Sequence, residues 1–352
     1  MKIKFKKYFS ILILFIPIPL LSLSPPNISI CNQVKNPPKG VIYKNPKVGA
    51  LIAKRLNKRF NNIVSECGNN FSTPAYECSG IILRAINPNE TNFWEKGQAF
   101  SYFRADLNTF KLFKDRPTAY VINGSGSYKN PYGKQVYAKC VYPLDGYTIS
   151  RNSNSYLPGC TRSNLFPDIP GECDKRGITT LEQWKEDFNK IPRNKIPERY
   201  AHQCSFDAHR SSGAKEFALN LEARKSLNIN LESYDYIQNE IIIKPWNELD
   251  YKPQHIPVEA IIYTDFNTES HYPGVHALRY AQAMQCAYVK ATMDNLGNEK
   301  RVKYPVPIIY LDLEELRIGK GKEIFKYKER DQMVTKRFEK SHAPNFYFLK
   351  NI

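Results

Sequence analysis

Apolar positions along the chain change their spacing several times, and each change marks an element. Val48, Leu51, Ile52, Leu56, Phe60, Ile63 and Val64 recur at threes and fours with Lys and Arg between them. That spacing predicts an amphipathic helix from Val48 that ends near Gly68. From Cys78 to about Val141 short apolar runs alternate with Asn/Pro/Gly clusters such as Asn87-Pro88-Asn89 and Asn123-Gly124. They predict strands over 80–86, 99–104, 110–113, 119–122 and 135–142. Residues 143–175 have little period and read as an irregular loop stapled by cysteines. A capping box, Thr179-x-x-Glu182, starts a helix whose buried edge holds Trp184 and Phe188. A second helix begins near Ser212, with Ala214, Phe217 and Leu221 on one side. Strands follow over 240–243 and 258–263, then a helix over 277–289 and a strand over 306–311.

Helices and strands are mixed without strict alternation. The fold class expected is therefore α+β, with mixed or antiparallel sheets and flanking helices, rather than a doubly wound parallel sheet. No good linker divides the body, so residues 47–332 are expected to form one domain. Residues 25–46 are rich in Pro and Asn and read as an extended lead-in, and residues 333–352 as a tail.

The first 24 residues say where the chain is sent. Lys2, Lys4, Lys6 and Lys7 form a positive head, and a nearly continuous apolar run follows from Tyr8 to Leu23, broken by Pro17 and Pro19. This is the layout of a secretory signal peptide with small residues, Ser22 and Ser24, where cleavage would fall. A membrane anchor is the competing reading, but the run is at the short limit for spanning and carries two prolines. The chain is expected to be secreted or periplasmic.

Export gives the cysteines a meaning. Cys31, Cys67, Cys78, Cys140, Cys160, Cys173, Cys204 and Cys286 all follow the expected cut. An even number in an exported chain predicts disulfides. No Cys-x-x-Cys and no Cys/His cluster has zinc spacing, and His271 and His276 are badly spaced for a metal, so no metal site is expected. Short loops favour Cys67 with Cys78 and Cys160 with Cys173, while the connectivity stays open.

Composition sharpens the class only slightly. The 352 residues carry 51 Lys+Arg against 34 Asp+Glu, a net charge of +17. At 42% hydrophobic and 24% charged the chain is ordinary for a globular protein. The 17 Gly and 24 Pro have no period, which excludes a fibrous repeat. The lysines spread over the whole chain, with modest clusters at 54–59 and 320–328. A solvated basic face explains them; an anionic cell surface is a possible partner, and no specific nucleic acid is expected.

Phosphate loops, dinucleotide glycine fingerprints, nucleophile elbows and His-Glu-x-x-His are all absent from the sequence. A constellation on three expected strands is more specific. Ser79-Gly80-Ile81-Ile82-Leu83-Arg84 ends an apolar strand in an arginine. Ala99-Phe100-Ser101-Tyr102-Phe103-Arg104 sets one small hydroxyl among aromatics. Gln238-Asn239-Glu240-Ile241-Ile242-Ile243 opens a β-branched run with a carboxylate. Together they resemble the arginine–serine–glutamate order of ADP-ribosyltransferase toxins. In that chemistry an arginine grips the pyrophosphate of NAD bidentately. The serine holds the glutamate, and the glutamate stabilises the oxocarbenium formed as nicotinamide leaves. Arg84 and Ser101 stand 17 residues apart, closer than is usual in those toxins.

Over most of residues 47–332 the chain resembles the halovibrin-type secreted proteins, a family described as NAD-cleaving or ADP-ribosylating, whose related domains also end some bacterial surface adhesins. The stretches that carry the resemblance include Ala75-Tyr76-Glu77-Cys78-Ser79-Gly80, Phe100-Ser101-Tyr102-Phe103-Arg104-Ala105-Asp106, Cys140, Gly159-Cys160, Cys173-Asp174, Gly177-Ile178-Thr179-Thr180-Leu181-Glu182-Gln183-Trp184 and His202-Gln203-Cys204-Ser205-Phe206-Asp207. The cysteine framework is its most specific part, and Cys31 and Cys286 fall outside it. The resemblance implies NAD as substrate, no bound cofactor and an ADP-ribosyltransferase-like fold. A host protein acceptor would serve as partner. Glu240 would be the catalytic carboxylate, Ser101 the positioning hydroxyl and Gln238 the acceptor-orienting group. Arg84 would clamp the phosphates with Arg104 as a second candidate, and Tyr102 would stack on nicotinamide. The alternative is a disulfide-stapled adhesion module without chemistry.

Overall fold

The computed structural model of the chain describes residues 46–68, 73–86, 98–107, 110–113, 116–122, 137–145, 160, 166, 168–209, 212–227, 238–244, 256–265, 277–282, 284–285, 306–317, 322–332 and 347–349. The expected signal peptide, nearly all of the lead-in and tail, His271, His276, Cys31 and Cys286 lie outside these residues. Among the described residues no helix is long and apolar enough to cross a membrane.

The architecture is α+β, built on one mixed sheet of ten strands. Helix α1 (Pro46–Asn61) leads into a two-stranded ribbon of β1 (Glu66–Cys67) and β2 (Thr73–Pro74). Then come β3 (Ile81–Ile86), β4 (Gln98–Phe103), β5 (Thr118–Ile122) and β6 (Tyr137–Tyr142). Helices α2 (Leu181–Asn189) and α3 (Ile196–His202), strand β7 (Phe206–Asp207) and helix α4 (Ala214–Ser226) follow. Strands β8 (Glu240–Lys244), β9 (Ile256–Tyr263), β10 (Ile308–Leu311), β11 (Phe325–Tyr327) and β12 (Tyr347–Leu349) complete the sheet. Its order is β11-β10-β9-β5-β3-β4-β8-β6-β7, with β12 beside β9. The β9–β10 pair is parallel and the other pairs are antiparallel.

Strand alternation sorts the apolar residues onto the two faces. On one face α1 lays Ile52, Leu56 and Phe60 over Ile81, Leu83, Phe103, Ile262, Ile309 and Phe325. On the other, helical residues Ala281 and Met284 cover Tyr120, Ile261 and Ile308. Farther along that face Phe217 and Leu221 of α4, with Trp184 and Phe188 of α2, pack on Phe100, Tyr102, Val141, Phe206 and Ile241. Trp184 and Phe188 stack with ring centroids 4.8 Å apart.

Three expectations about elements are corrected. Helix α1 stops at Asn61, not near Gly68: the Asn61 amide donates to the carbonyls of Asn57 and Lys322, and Ile63 and Val64 are exposed. Residues 110–113 form a 3-10 turn instead of a strand, because Leu112 and Phe113 fill the α1 core and Phe113 meets Phe103 edge-on. The capping box sits one residue later than expected. Thr180 accepts from the Gln183 N–H, and Gln183 accepts from the Thr180 N–H.

The cysteines form Cys67–Cys78, Cys140–Cys160 and Cys173–Cys204. The first is the short loop expected. Cys160 does not pair with Cys173, because backbone pairing places other partners closer. Cys173 N donates to Ser205 O at 2.9 Å and Ser205 N to Gly171 O at 2.8 Å, which lays Cys173 beside Cys204.

The segment after Cys173 is held by charge as well. Arg176 donates to Asp187 at 3.1 Å and to the His202 carbonyl at 2.5 Å. Lys190 donates to Asp187 at 2.9 Å, and His202 Nε2 lies 3.3 Å from it. Burial pushes the Asp187 carboxyl up, but the hydrogen bonds from His202 and Lys190 outweigh it and hold the group well below the usual carboxylate range.

Two outcomes test this arrangement. Replacing Cys173 and Cys204 together by Ser should cost about 2–4 kcal/mol in urea unfolding, with peptide mapping of the parent recovering Cys140 linked to Cys160. Because folding lowers the Asp187 pKa, its contribution is complete above the ordinary carboxylate value of about 4 and is lost as pH falls below it. Asp187→Asn should therefore lower the melting temperature at neutral pH and lose less of it on acidification than the parent does.

Candidate active site

The three strands of the expected motif are neighbours in the sheet, in the order β3-β4-β8. Strand β4 is divided between them. Its second half pairs with β3 through Ile81↔Phe103, Ile82↔Tyr102 and Leu83↔Ser101. Its first half pairs with β8 through Gln98↔Ile243, Ala99↔Ile242 and Phe100↔Ile241. Beyond Leu83 the β3–β4 ladder stops, while β3 continues against β5 as far as Ile86↔Thr118. The sheet forks there.

Ser101 and Glu240 are the next residues in register at this fork. The β4–β8 register carried one step past Phe100↔Ile241 sets Ser101 opposite Glu240, and one step more sets Tyr102 opposite Asn239. The Asn239 side chain marks that last step. Its Oδ1 accepts from the Tyr102 N–H at 2.8 Å and its Nδ2 donates to the Tyr102 carbonyl at 2.9 Å. On its other side Glu240 is paired with Tyr142 of β6. Directly opposed residues of an antiparallel pair share a face. Ser101, Glu240 and Tyr142 therefore lie on one face, beside Ile242 and the Cys140–Cys160 disulfide. Both Ser101 and Glu240 are buried.

Gln238 stands two residues before Glu240, and its amide donates to Asp145 Oδ2 at 3.1 Å. Gln203 holds the same turn, accepting from Leu144 N–H and donating to the Asp145 carbonyl. Asp145, Tyr142 and Asn239 were not picked out from the sequence. Only the Asn-Glu adjacency in Gln238-Asn239-Glu240 hints at one of them, since Tyr142 closes β6 and Asp145 lies in the turn after it, about a hundred residues earlier.

Arg84 is not brought onto the face of Glu240. Leu83 opposes Ser101, so Arg84 shares the other face with Phe100 and Tyr120. Its Nη1 donates to the Ala99 carbonyl at 2.8 Å, bridging the place where the ladder has ended. The arginine sits in the mouth of the fork as a strut between the two halves of the sheet.

Two other expected roles are corrected by packing. Arg104 is 1% exposed and committed: Nε and Nη2 grip Asp106 at 2.6 and 3.0 Å, and Nη1 donates to the Val64 carbonyl and to Ser79 Oγ. Four of its five N–H donors are taken inside the protein, and the enclosed side chain presents no surface to a phosphate. Tyr102 is wholly buried, its hydroxyl 2.8 Å from Ser79 Oγ and its ring edge-on to Phe217. Gly80 is close-fitted against the same ring and has φ +59°, where a side chain would be strained and would strike Tyr102. Tyr102 is core and offers nicotinamide no face.

Among the described residues no group of three or more His, Cys, Asp or Glu side chains is placed to hold a metal ion. Comparison with family models, curated proteins and solved structures finds no match for this chain. Asn239→Ala should cost about 1–3 kcal/mol in denaturant unfolding, since it strands both buried backbone groups of Tyr102. Asn239→Asp keeps the acceptor and loses the donor, and should fall between Asn239→Ala and the parent.

Proposed function

We propose that this chain is a secreted NAD-cleaving enzyme, a glycohydrolase or mono-ADP-ribosyltransferase, with Glu240 as its catalytic carboxylate. One observation carries the reading: a buried glutamate opens β8 between Tyr142 and Ser101, at the point where the sheet forks. A carboxylate held there has little freedom to reorient, so its charge is prepared in advance for a cation that develops next to it.

The chemistry follows that of glycoside cleavage. The bond between the ribose anomeric carbon and nicotinamide breaks, and its electron pair leaves with the nicotinamide nitrogen. Glu240 stabilises the oxocarbenium and accepts a hydrogen bond from the ribose 2′-hydroxyl. Water, or a nucleophilic side chain of an acceptor protein, then bonds to the anomeric carbon and releases a proton. Ser101 positions the carboxylate. Gln238 and Asp145 lie at the end of β8 where an acceptor would approach, and Gln238 would orient it. Arg84 enters as a positioning residue that holds the fork. The family resemblance of the sequence supports the same reading, as does a disulfide framework suited to an oxidising compartment.

The test is nicotinamide release from NAD by the oxidised protein, alongside Glu240→Gln. The parent should release nicotinamide, and the variant should lose at least a hundredfold of the rate with its unfolding midpoint unchanged. Equal release by both would mean that another carboxylate is used. Release by neither, from folded protein, would leave a stapled binding module without chemistry.

A further inference from the structure

Helix α1 carries a second feature that the NAD reading does not use. Its sixteen residues include five Lys or Arg and no Asp or Glu. The two arginines are accounted for inside the molecule. Arg55 donates to the buried Glu259, and Arg59 holds the carbonyls of Tyr76 and Gly80 at 2.6 and 2.9 Å. The lysines differ. Lys47, Lys54 and Lys58 are exposed and have no ion pair among the described residues. Their spacing of seven and four places all three on one stripe of the helix, over about 16 Å of its length.

One exposed apolar residue shares that stripe, and two more follow the helix end. Leu51 falls between Lys47 and Lys54 and is 57% exposed. Just past the helix Ile63 and Val64 are 56% and 41% exposed. They stand on anchored backbone: the Val64 carbonyl accepts from Arg104 at 2.6 Å, and the Phe60 carbonyl from Ala105 N–H at 3.1 Å. These are the exposed large hydrophobic residues among those described, and all three belong to α1 and its exit. Lys322, also exposed, is drawn to the end of the stripe by the Asn61 hydrogen bond to its carbonyl; Glu323 follows it.

We propose that this stripe is a docking surface for an anionic lipid bilayer. Lysines meet the phosphate and carboxylate groups of the headgroups, while Leu51, Ile63 and Val64 enter the boundary with the acyl chains. Charge alone would suit any polyanion. The aliphatic residues choose the bilayer, because single-stranded nucleic acid is held by aromatic platforms that the stripe lacks, and duplex phosphates offer Leu and Ile nothing. A convex helix ridge also fits a deformable surface better than a pocketed one. The proposal does not depend on Glu240 or on NAD.

Vesicle co-sedimentation tests it, using the disulfide-bonded protein with phosphatidylcholine alone or mixed with phosphatidylserine. Binding should require phosphatidylserine and weaken with salt. Combining Lys47→Gln, Lys54→Gln and Lys58→Gln should reduce partitioning on the order of a hundredfold, at about fivefold for each lysine. Leu51→Ser with Ile63→Ser should reduce it several-fold, and neither variant should shift the unfolding midpoint, since every altered side chain is exposed. Undiminished binding by the lysine variant would overturn the proposal, as would retention of duplex DNA without retention of vesicles. An effect of the lysines with none from Leu51 and Ile63 would overturn the choice of a bilayer over another polyanion.

Discussion

Strand β4 is the member on which the rest of the structure depends. A strand normally gives one edge to each neighbour along its whole length. Here the second half of β4 is paired with β3 and the first half with β8, so two part-sheets share a single strand. That division leaves unpaired edge on both sides, and buried backbone groups without partners are costly. Two side chains meet the demand. Asn239 takes over where the β8 backbone stops, satisfying both backbone groups of Tyr102, and Arg84 takes over where β3 has parted, satisfying the Ala99 carbonyl.

The same device recurs at the margins of the sheet. Asn57 of α1 accepts from the Phe325 N–H and donates to the Phe325 carbonyl, at 2.9 and 2.8 Å. Gln332 accepts from Ile308 N–H and donates to the Ile308 carbonyl, at 2.9 and 2.8 Å. In each case one planar amide offers a donor and an acceptor at the spacing of a strand residue, so it substitutes for a missing strand neighbour. These amides let short strands such as β11 and β10 end inside the protein.

The candidate site owes its character to this construction. A fork interrupts the ladder, and Glu240 opens a strand at that interruption, between a serine and a tyrosine. Disulfides fix the surroundings: Cys140–Cys160 lies on the face of Glu240, and Cys173–Cys204 ties the α2 and α3 region to β7. Net charge is divided in the same structural way. Arg55, Arg59, Arg104, Arg176 and Arg224 turn inward to carboxylates and carbonyls, where a planar fork of donors can be satisfied, while Lys47, Lys54 and Lys58 of α1 stay at the surface.

The periods of the sequence determined the kind of protein. Alternation and threes-and-fours marked β3, β4, β5, β8, β9, α4 and the start of α1 to within a few residues, because those elements bury one face against a large core. The chain also carried its disulfide-forming cysteines and the order of a serine strand and a glutamate strand. Short elements were not legible: β7, β11 and the ribbon of β1 and β2 are two or three residues long and exist only through their partners. Nor could the sequence decide which residues share a face. Arg84 read as the phosphate clamp, Arg104 as a second candidate and Tyr102 as an aromatic platform, until the register turned one arginine away and packing enclosed the other two residues. Cysteine connectivity was settled in the same manner, by which backbones lie side by side rather than by distance along the chain. Local periodicity reports burial, which each residue carries in its own chemistry; register and partner choice are relations between distant segments, and only the folded sheet supplies them.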